Sequence, residues 1–463
     1  MSTPSDPVEI AFAGAAGQAA LVAAGALSAR ELTELHLERI RRLDPQLNAF
    51  RVVLADQALA EADAADARRA RGEGGPLNGV PVAIKDDADV AGQSTPFGTG
   101  ANGAIKAVDS AVVSRLRDAG AVVVGKTNVP ELMICCFTET LAFGATRNPW
   151  DPTRTPGGSS GGSGAAVAAG LCGVAHGSDG AGSIRIPAAW CGLFGLKPQR
   201  DRVPLAPYAD AWNALSTYGP LARTVADAGV FLDVAAATGT TFTEAAARPA
   251  GPLRVALATN LPPGILAKPS ADALRAVQET AEALRALGHA VTETTLDFGP
   301  VAGPSVVARY LSGIAQDLRR LESPGLVERR TKGFARLGAA FPQTLVDKAI
   351  AAGVGVGARV GRVFERADVI LTPGPAKPAF TIGALQGRGA LWTLNAMLDR
   401  VPYYATYNAT GQPAASVPAG FDGDGMPLAV QLVGRPDDEA TLLELAAALE
   451  QARPWAHRRP GVS

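Results

Sequence analysis

Histidine and cysteine are scarce in this chain of 463 residues, four of each, and aromatic residues amount to 5 Trp, 6 Tyr and 14 Phe. Cys135, Cys136, Cys172 and Cys191 contain no Cys-x-x-Cys pair. That excludes a disulfide-stapled secreted scaffold and reads as reduced thiols inside a cell. An excess of one charge is also missing: 43 Lys and Arg face 44 Asp and Glu, a net charge of −1. The balance argues against a nucleic-acid partner held through counterion release and against a basic membrane-surface protein. Long hydrophobic runs are absent too. The uncharged Ala11–Ala29 stretch is interrupted by Gln18, Ser28 and three glycines, which suits a packed or surface helix better than a membrane span. Met1–Ile10 carries Asp6 and Glu9 but no Lys or Arg, so the basic region of a signal peptide is lacking. The expectation is a soluble, cytoplasmic protein, 47% apolar and therefore globular.

What is present in excess is glycine. At ~7% a chain this long would carry about 32, and it carries 52. Twelve of them fall between Gly157 and Gly195. The surplus marks a place and not a linker-rich chain.

Around that place the sequence alternates between helical and strand patterns. Ser28 and Glu31 form a capping box, and Leu32, Leu35 and Ile40 follow at helical spacing until Asp44-Pro45 is expected to stop the helix. Ala55–Arg69 and Asp109–Asp118 read as helices. Val80–Ile84, Ala121–Val124, Val255–Ala258, Val369–Thr372 and Leu428–Val433 read as strands. Residues 269–367 read as a mostly helical cover. The pattern predicts an α/β chain with one large sheet in a single domain spanning 1–463.

Three local motifs compete in this region. Gly120–Thr127 matches G-x-x-x-x-G-K-S/T, but its Ala-Val-Val-Val interior is strand-like and cannot wrap amides around a phosphate. Gly157–Gly161 matches the G-x-S-x-G elbow, but three prolines precede it where a central strand is required. Downstream histidines are only His176, His289 and His457, none well placed for a triad. Cys172, His176 and Asp179 have tolerable zinc spacing, but no fourth ligand lies nearby. No metal or cofactor is expected.

The whole glycine-dense stretch fits another pattern. Pro156–Ala165, followed by Ser178–Pro187, closely resembles the amidase signature family. Gly79–Asp86, Gly125–Asn128, Gly144–Pro149, Gly192–Pro198, Gly219–Arg223 and Gly411–Ala414 match as well, in order, with Gln431 and Asp438-Glu439 behind them. The resemblance implies the family's fold, a large mixed central sheet covered by helices on both faces. It also implies a Ser–cis-Ser–Lys triad: Lys85, Ser159 as bridge after a cis Gly158–Ser159 peptide, and Ser183 as nucleophile, 24 positions after Ser159. Sequence alone does not separate Ser159 from Ser160 or Ser163. Backbone N–H groups of Gly180, Ala181, Gly182 and Ser183 are implied as the oxyanion hole. Ala181 replaces a usual glycine and would resist a positive φ, which leaves the donors open. Asp179 and Arg185 are expected to brace the loop.

The chemistry is consistent. Lys85 closes an apolar run, so burial should favour its neutral amine. A neutral amine can take a proton from Ser183 through Ser159. The implied activity is hydrolysis of a carboxamide through an acyl-enzyme on a small-molecule substrate, with ester or carbamate cleavage also within reach. Tyr208, Trp212 and Tyr218, and later Tyr403, Tyr404 and Tyr407, favour apolar or aryl substrates if they line a pocket, although aromatics near turns also fill cores. Two other readings remain: the glutaminase subunit of a tRNA-dependent amidotransferase, and a non-catalytic binding protein on the same scaffold. A monomer or homodimer is expected.

Overall fold

The computed structural model describes residues 6–239, 241–248 and 250–463. Its centre is an eleven-stranded mixed sheet. In chain order the strands are β1 (Phe50–Val53), β2 (Pro81–Lys85), β3 (Val122–Thr127), the short pair β4 (Glu139–Thr140) and β5 (Gly144–Ala145), β6 (Val174–Asp179), β7 (Phe194–Lys197), β8 (Thr217–Ala222), β9 (Arg254–Leu257), β10 (Ala290–Glu293), β11 (Val369–Pro373), β12 (Ala414–Phe421) and β13 (Pro427–Val433). Strands β4 and β5 form a separate ribbon. The others run β1-β3-β2-β6-β8-β7-β12-β13-β11-β9-β10. Strands β3, β2 and β6 are mutually parallel, and so are β11, β9 and β10, while the middle of the sheet is antiparallel.

Both faces of the sheet are covered, and the two-residue alternation of a strand explains how. Val82 and Ile84 of β2 and Val123 of β3 point into one apolar layer with Phe231, Leu232 and Leu442. Ala83, Val122 and Val124 point into the other, against Leu32, Ile40, Leu43 and the alanines of the helix Gly161–Ala168. Lys85 shares Ala83's parity, so it faces the side on which Ser159 lies.

Several expected boundaries shift. The capping box at Ser28–Glu31 forms, but the helix continues through Pro45 to Leu47. Asn48, in a left-handed conformation, ends it, and Asp44 serves the exit by accepting the Ala49 N–H at 2.7 Å. Burial pushes the Asp44 carboxyl up to about 6. The 269–367 region is helical over Ala271–Ala286, Ala302–Arg320, Arg329–Ala339 and Gln343–Gly361, but it also contributes edge strand β10. The Ala11–Ala29 run breaks into Pro7–Ala11 and Gly14–Ala23 and the start of Ala29–Leu47. Among the described residues no helix is long and apolar enough to cross a membrane. All four cysteines are free and buried.

The glycine-rich stretch is not simply a loop. Gly161, Gly162 and Gly164 lie inside the buried helix Gly161–Ala168. Their role is clearance: a Cβ on Gly162 would stand 2.4 Å from the Ala49 carbonyl oxygen, and one on Gly161 2.1 Å from Thr138 Oγ1. The absence of side chains lets this helix seat directly against neighbouring backbone.

Candidate active site

Parallel strands β2 and β6 are neighbours, so Lys85 at the end of one and Ser178-Asp179 at the end of the other reach the same edge of the sheet. Carboxyl ends of parallel strands are where open α/β sheets form their sites. Lys85 is fully buried, and its Nζ lies 2.7 Å from Ser159 Oγ, 2.6 Å from Ser178 Oγ and 3.3 Å from the Ser178 carbonyl oxygen. Burial lowers its pKa below the ordinary lysine value, and the nearby charges of Asp87 and Asp179 oppose that shift. The Gly158–Ser159 peptide is cis.

The neighbouring serines are engaged elsewhere. Ser160 donates from Oγ to the Ser178 carbonyl and from its N–H to the Ser183 carbonyl. Ser163 donates to the His176 carbonyl and shares a hydrogen bond with Thr127. Neither hydroxyl bonds Lys85. Ser183, 8% exposed, borders a cavity of about 300 Å³ together with Ser159, Ser178, Gly180 and Asp87. Among the described residues the Ser183 hydroxyl makes no hydrogen bond, so Lys85 and Ser159 are joined while Ser159 and Ser183 are not.

The loop carrying Ser183 is braced from below. Asp179 accepts from the Gly182 N–H at 2.6 Å and the Ile184 N–H at 3.2 Å, and its carboxylate is gripped by Arg185 at 2.9 Å. Arg185 also donates to Gln431 and Asn408, at 2.6 Å each, and lies over the Tyr404 ring. Burial alone would raise Asp179, but Arg185, Asn408 and Lys197 hold its carboxyl well below the usual range. The bracing role expected of Asp179 and Arg185 is what their contacts describe. One member of the expected oxyanion set changes: the Gly182 N–H is bound to Asp179 and is not free. The N–H groups of Gly180, Ala181 and Ser183 make no hydrogen bond among the described residues. Gly182, not Ala181, carries the positive φ, +114°. Alanine is therefore accommodated at 181 without backbone strain.

The aromatic groups divide. Tyr208, Trp212 and Tyr218 line the cavity beside Ser183. Tyr404 and Tyr407 are core residues behind Arg185, and Tyr403 donates to the Thr259 carbonyl. His176 is buried against Tyr218 with both ring nitrogens unpartnered among the described residues, and burial pushes it down to about 4. Lys126 of the Gly120–Thr127 motif sits within β3, pairs with buried Asp86 at 2.9 Å and donates to the Ser94 carbonyl and the Thr95 hydroxyl. A second, apolar cleft of about 80 Å³ also borders Ser183, between Cys135, Ile186, Val306, Tyr310 and Met397. Sequence reasoning did not single out Ser178, Asp87 or Asn408. Asp87 was legible only as a second acid after Lys85, and nothing local distinguishes it from Asp86.

A large mixed sheet with a buried lysine, a cis-peptide serine and a braced glycine-rich serine loop is the arrangement of an amidase-type hydrolase. The chain belongs to the amidase family, whose model matches residues 31–443, and it is an amide-hydrolysing enzyme of the amidase signature type. It is 54% identical to AmiB2 of Mycobacterium tuberculosis (strain ATCC 25618 / H37Rv) over 99% of this chain and all of that protein. It is also 36% identical to a glutamyl-tRNA(Gln) amidotransferase subunit of Synechococcus sp. (strain RCC307), over 94% of this chain and 96% of that one. Among solved structures it resembles a 6-aminohexanoate cyclic dimer hydrolase, with a TM-score of 0.87, 32% identity and coverage of 98% and 99% of the two chains. A bacterial aryl acylamidase of the amidase signature family matches with a TM-score of 0.84, 28% identity and 96% coverage of each chain.

Proposed function

We propose that Ser183 attacks the substrate carbonyl, with Lys85 as base acting through Ser159. The supporting observation is the fully buried Lys85 amine held 2.7 Å from Ser159 Oγ, beside a cavity that Ser159 and Ser183 both line. As Ser183 Oγ bonds to the carbonyl carbon, its proton passes to Ser159, and Ser159 passes its own to Lys85. The oxyanion that forms is met by the N–H groups left free in the loop, those of Ala181 and Ser183 with Gly180; one such donor is typically worth ~3–4 kcal/mol in the transition state. When the C–N bond breaks, the relay returns the proton to the departing nitrogen, which could not leave as an anion. Water then cleaves the acyl-enzyme by the same relay. Catalytic contacts that are open in the free enzyme commonly close in the substrate complex, and the Ser159–Ser183 contact is of that kind.

Substrate halves follow from the two cavities. Ser159, which protonates the leaving nitrogen, lines the larger cavity and not the apolar cleft. The amine half therefore occupies the larger cavity, and an apolar or aryl acyl half occupies the cleft of Cys135, Ile186, Val306 and Met397. Esters and carbamates need the same hole and relay and fall within the same chemistry. A serine-directed sulfonyl fluoride is expected to label Ser183. Peptide mapping that puts the label on Ser159 or Ser160 defeats the assignment. The rival reading, a glutaminase component that needs partner chains, is tested by the same preparation: the chain alone is expected to hydrolyse simple anilides and aliphatic amides.

A further inference from the structure

The two acids that follow Lys85 have different surroundings. Asp86 is answered by two cations, Arg51 at 2.8 Å and Lys126 at 2.9 Å. Asp87, 5% exposed, meets Lys85 Nζ at 3.4 Å through Oδ2 and accepts the Ser178 hydroxyl on the same oxygen. Its Oδ1 has no hydrogen-bond partner among the described residues.

Counting hydrogens assigns the roles. Ser178 has one hydroxyl hydrogen, and a carboxylate can only accept. That hydrogen therefore goes to Asp87, and the oxygen's lone pairs face Lys85. A neutral Lys85 has two N–H groups and one lone pair. Its two N–H groups have acceptors in Ser178 Oγ and the Ser178 carbonyl oxygen. Of the groups around Nζ, Asp87 and the Ser178 carbonyl can only accept and the Ser178 hydrogen is taken, so Ser159 alone has a hydrogen to give and the lone pair points there. Were the Ser178 hydrogen turned round, it would occupy that lone pair and compete with Ser159 for it.

We infer that Asp87 is a positioning residue that, through the Ser178 hydroxyl, aims the lone pair of Lys85 at Ser159. The inference rests on the reading of Lys85 as base. Asp87 also acts by its charge, which favours the ammonium, so its removal has two separable effects. The other titratable groups around Lys85 are Asp179 and His176 of β6, and Lys126 of β3, which is tied to Asp86. Asp87 alone of these lies within ion-pair distance of it.

The test is the rate of Ser183 labelling by phenylmethanesulfonyl fluoride as a function of pH, on the full chain, for wild type, Asp87→Ala and Asp87→Asn. Losing the carboxylate destabilises the ammonium, so the acid limb of the profile moves to lower pH in both variants. The high-pH plateau falls at least about tenfold in Asp87→Ala, as loss of an oriented base should. It is largely restored in Asp87→Asn, whose amide oxygen still accepts from Ser178. A purely structural role would lower all rates without moving the acid limb. Equal plateaus in the three proteins, or an unmoved limb, overturn the inference. If Asp87→Ala does not fold, Ser178→Ala carries the plateau measurement and is expected to show the same fall with the Asp87 charge retained; a wild-type plateau there overturns the inference. Failure of wild type to be labelled at Ser183 defeats the triad reading itself and is a distinct result.

Discussion

A buried lysine amine is useful as a base only if something holds its lone pair in a fixed direction, and Lys85 has hydrogen-bond partners that can do so. Its side chain ends a strand whose other residues are apolar, so the backbone delivers it to the interior, where the charged form is disfavoured. Replacing Lys85 by Ala should cost about 10²–10⁴ in kcat, the usual worth of a positioned base, with the far-UV spectrum unchanged; an active variant removes Lys85 from the relay. The pH dependence has a fixed sign. A base whose pKa is lowered by burial is neutral over a wider range, so kcat rises with pH and levels off below the ordinary lysine value of 10.5. A profile still rising above that value would contradict it. At this scale the sequence was informative where a residue type limits chemistry. Four histidines, one of them a buried ring with no partner among the described residues, are consistent with the lysine base that the family resemblance implies and that we propose. It was uninformative where equal residues compete: Ser159, Ser160 and Ser163 are distinguished by their hydrogen-bond partners, which depend on β2, β6 and β3 and not on neighbours in the chain.

Elements behave in the same way. Strands β2, β3, β9, β11 and β13 fall within a few residues of their apolar runs, because burial on both faces demands continuous hydrophobicity. The helix Gly161–Ala168 was hidden, because glycine lowers helix propensity and local pattern alone reads it as loop. Its glycines answer a tertiary demand, close approach to Ala49 and Asn128. That gives a paired prediction with opposite signs. In a helix interior Ala is favoured over Gly by ~1 kcal/mol. Gly355, in the helix Gln343–Gly361, is exposed and has nothing within 4 Å of an added Cβ. Gly355→Ala should therefore raise the urea midpoint, by roughly 0.5–1 kcal/mol of stability. Gly162→Ala places a methyl 2.4 Å from a backbone oxygen and should lower stability by ~1–3 kcal/mol, as overpacking does. A stabilised Gly162→Ala would show that the helix needs its glycines for something other than clearance.

Over the whole molecule, the proposed catalytic parts and the proposed substrate-binding parts come from different kinds of sequence. The strand ending in Lys85, the stretch around Ser159 and the loop carrying Ser183 are each short and local, so they can be read as motifs. The apolar cleft beside Ser183 is assembled from distant segments, among them Met133–Cys136, Ile186, Trp212, Val306–Tyr310 and Leu394–Val401, of which only Ile186 lies within a matched motif. Its shape exists only after the helices Ala302–Arg320 and Ala390–Arg400 have packed over the sheet edge, which is why substrate size was not legible beforehand. The aromatics divided for the same reason: Trp212 and Tyr208 reach the cavity, while Tyr404 is taken up against Arg185 and Tyr407 in an apolar cluster with Val356 and Ile370. If the cleft receives the acyl half, filling it should discriminate by acyl length. Val306→Phe adds a ring to a space of about 80 Å³. A pocket contact of this kind is worth ~1–3 kcal/mol, so kcat/KM for hexanoyl and benzoyl anilides should fall about tenfold or more. Acetanilide, which needs only the room around Ser183, should change less than about twofold, since it forfeits none of that contact. The reverse ranking, with acetanilide hit hardest, would move the acyl group out of the cleft and into the larger cavity.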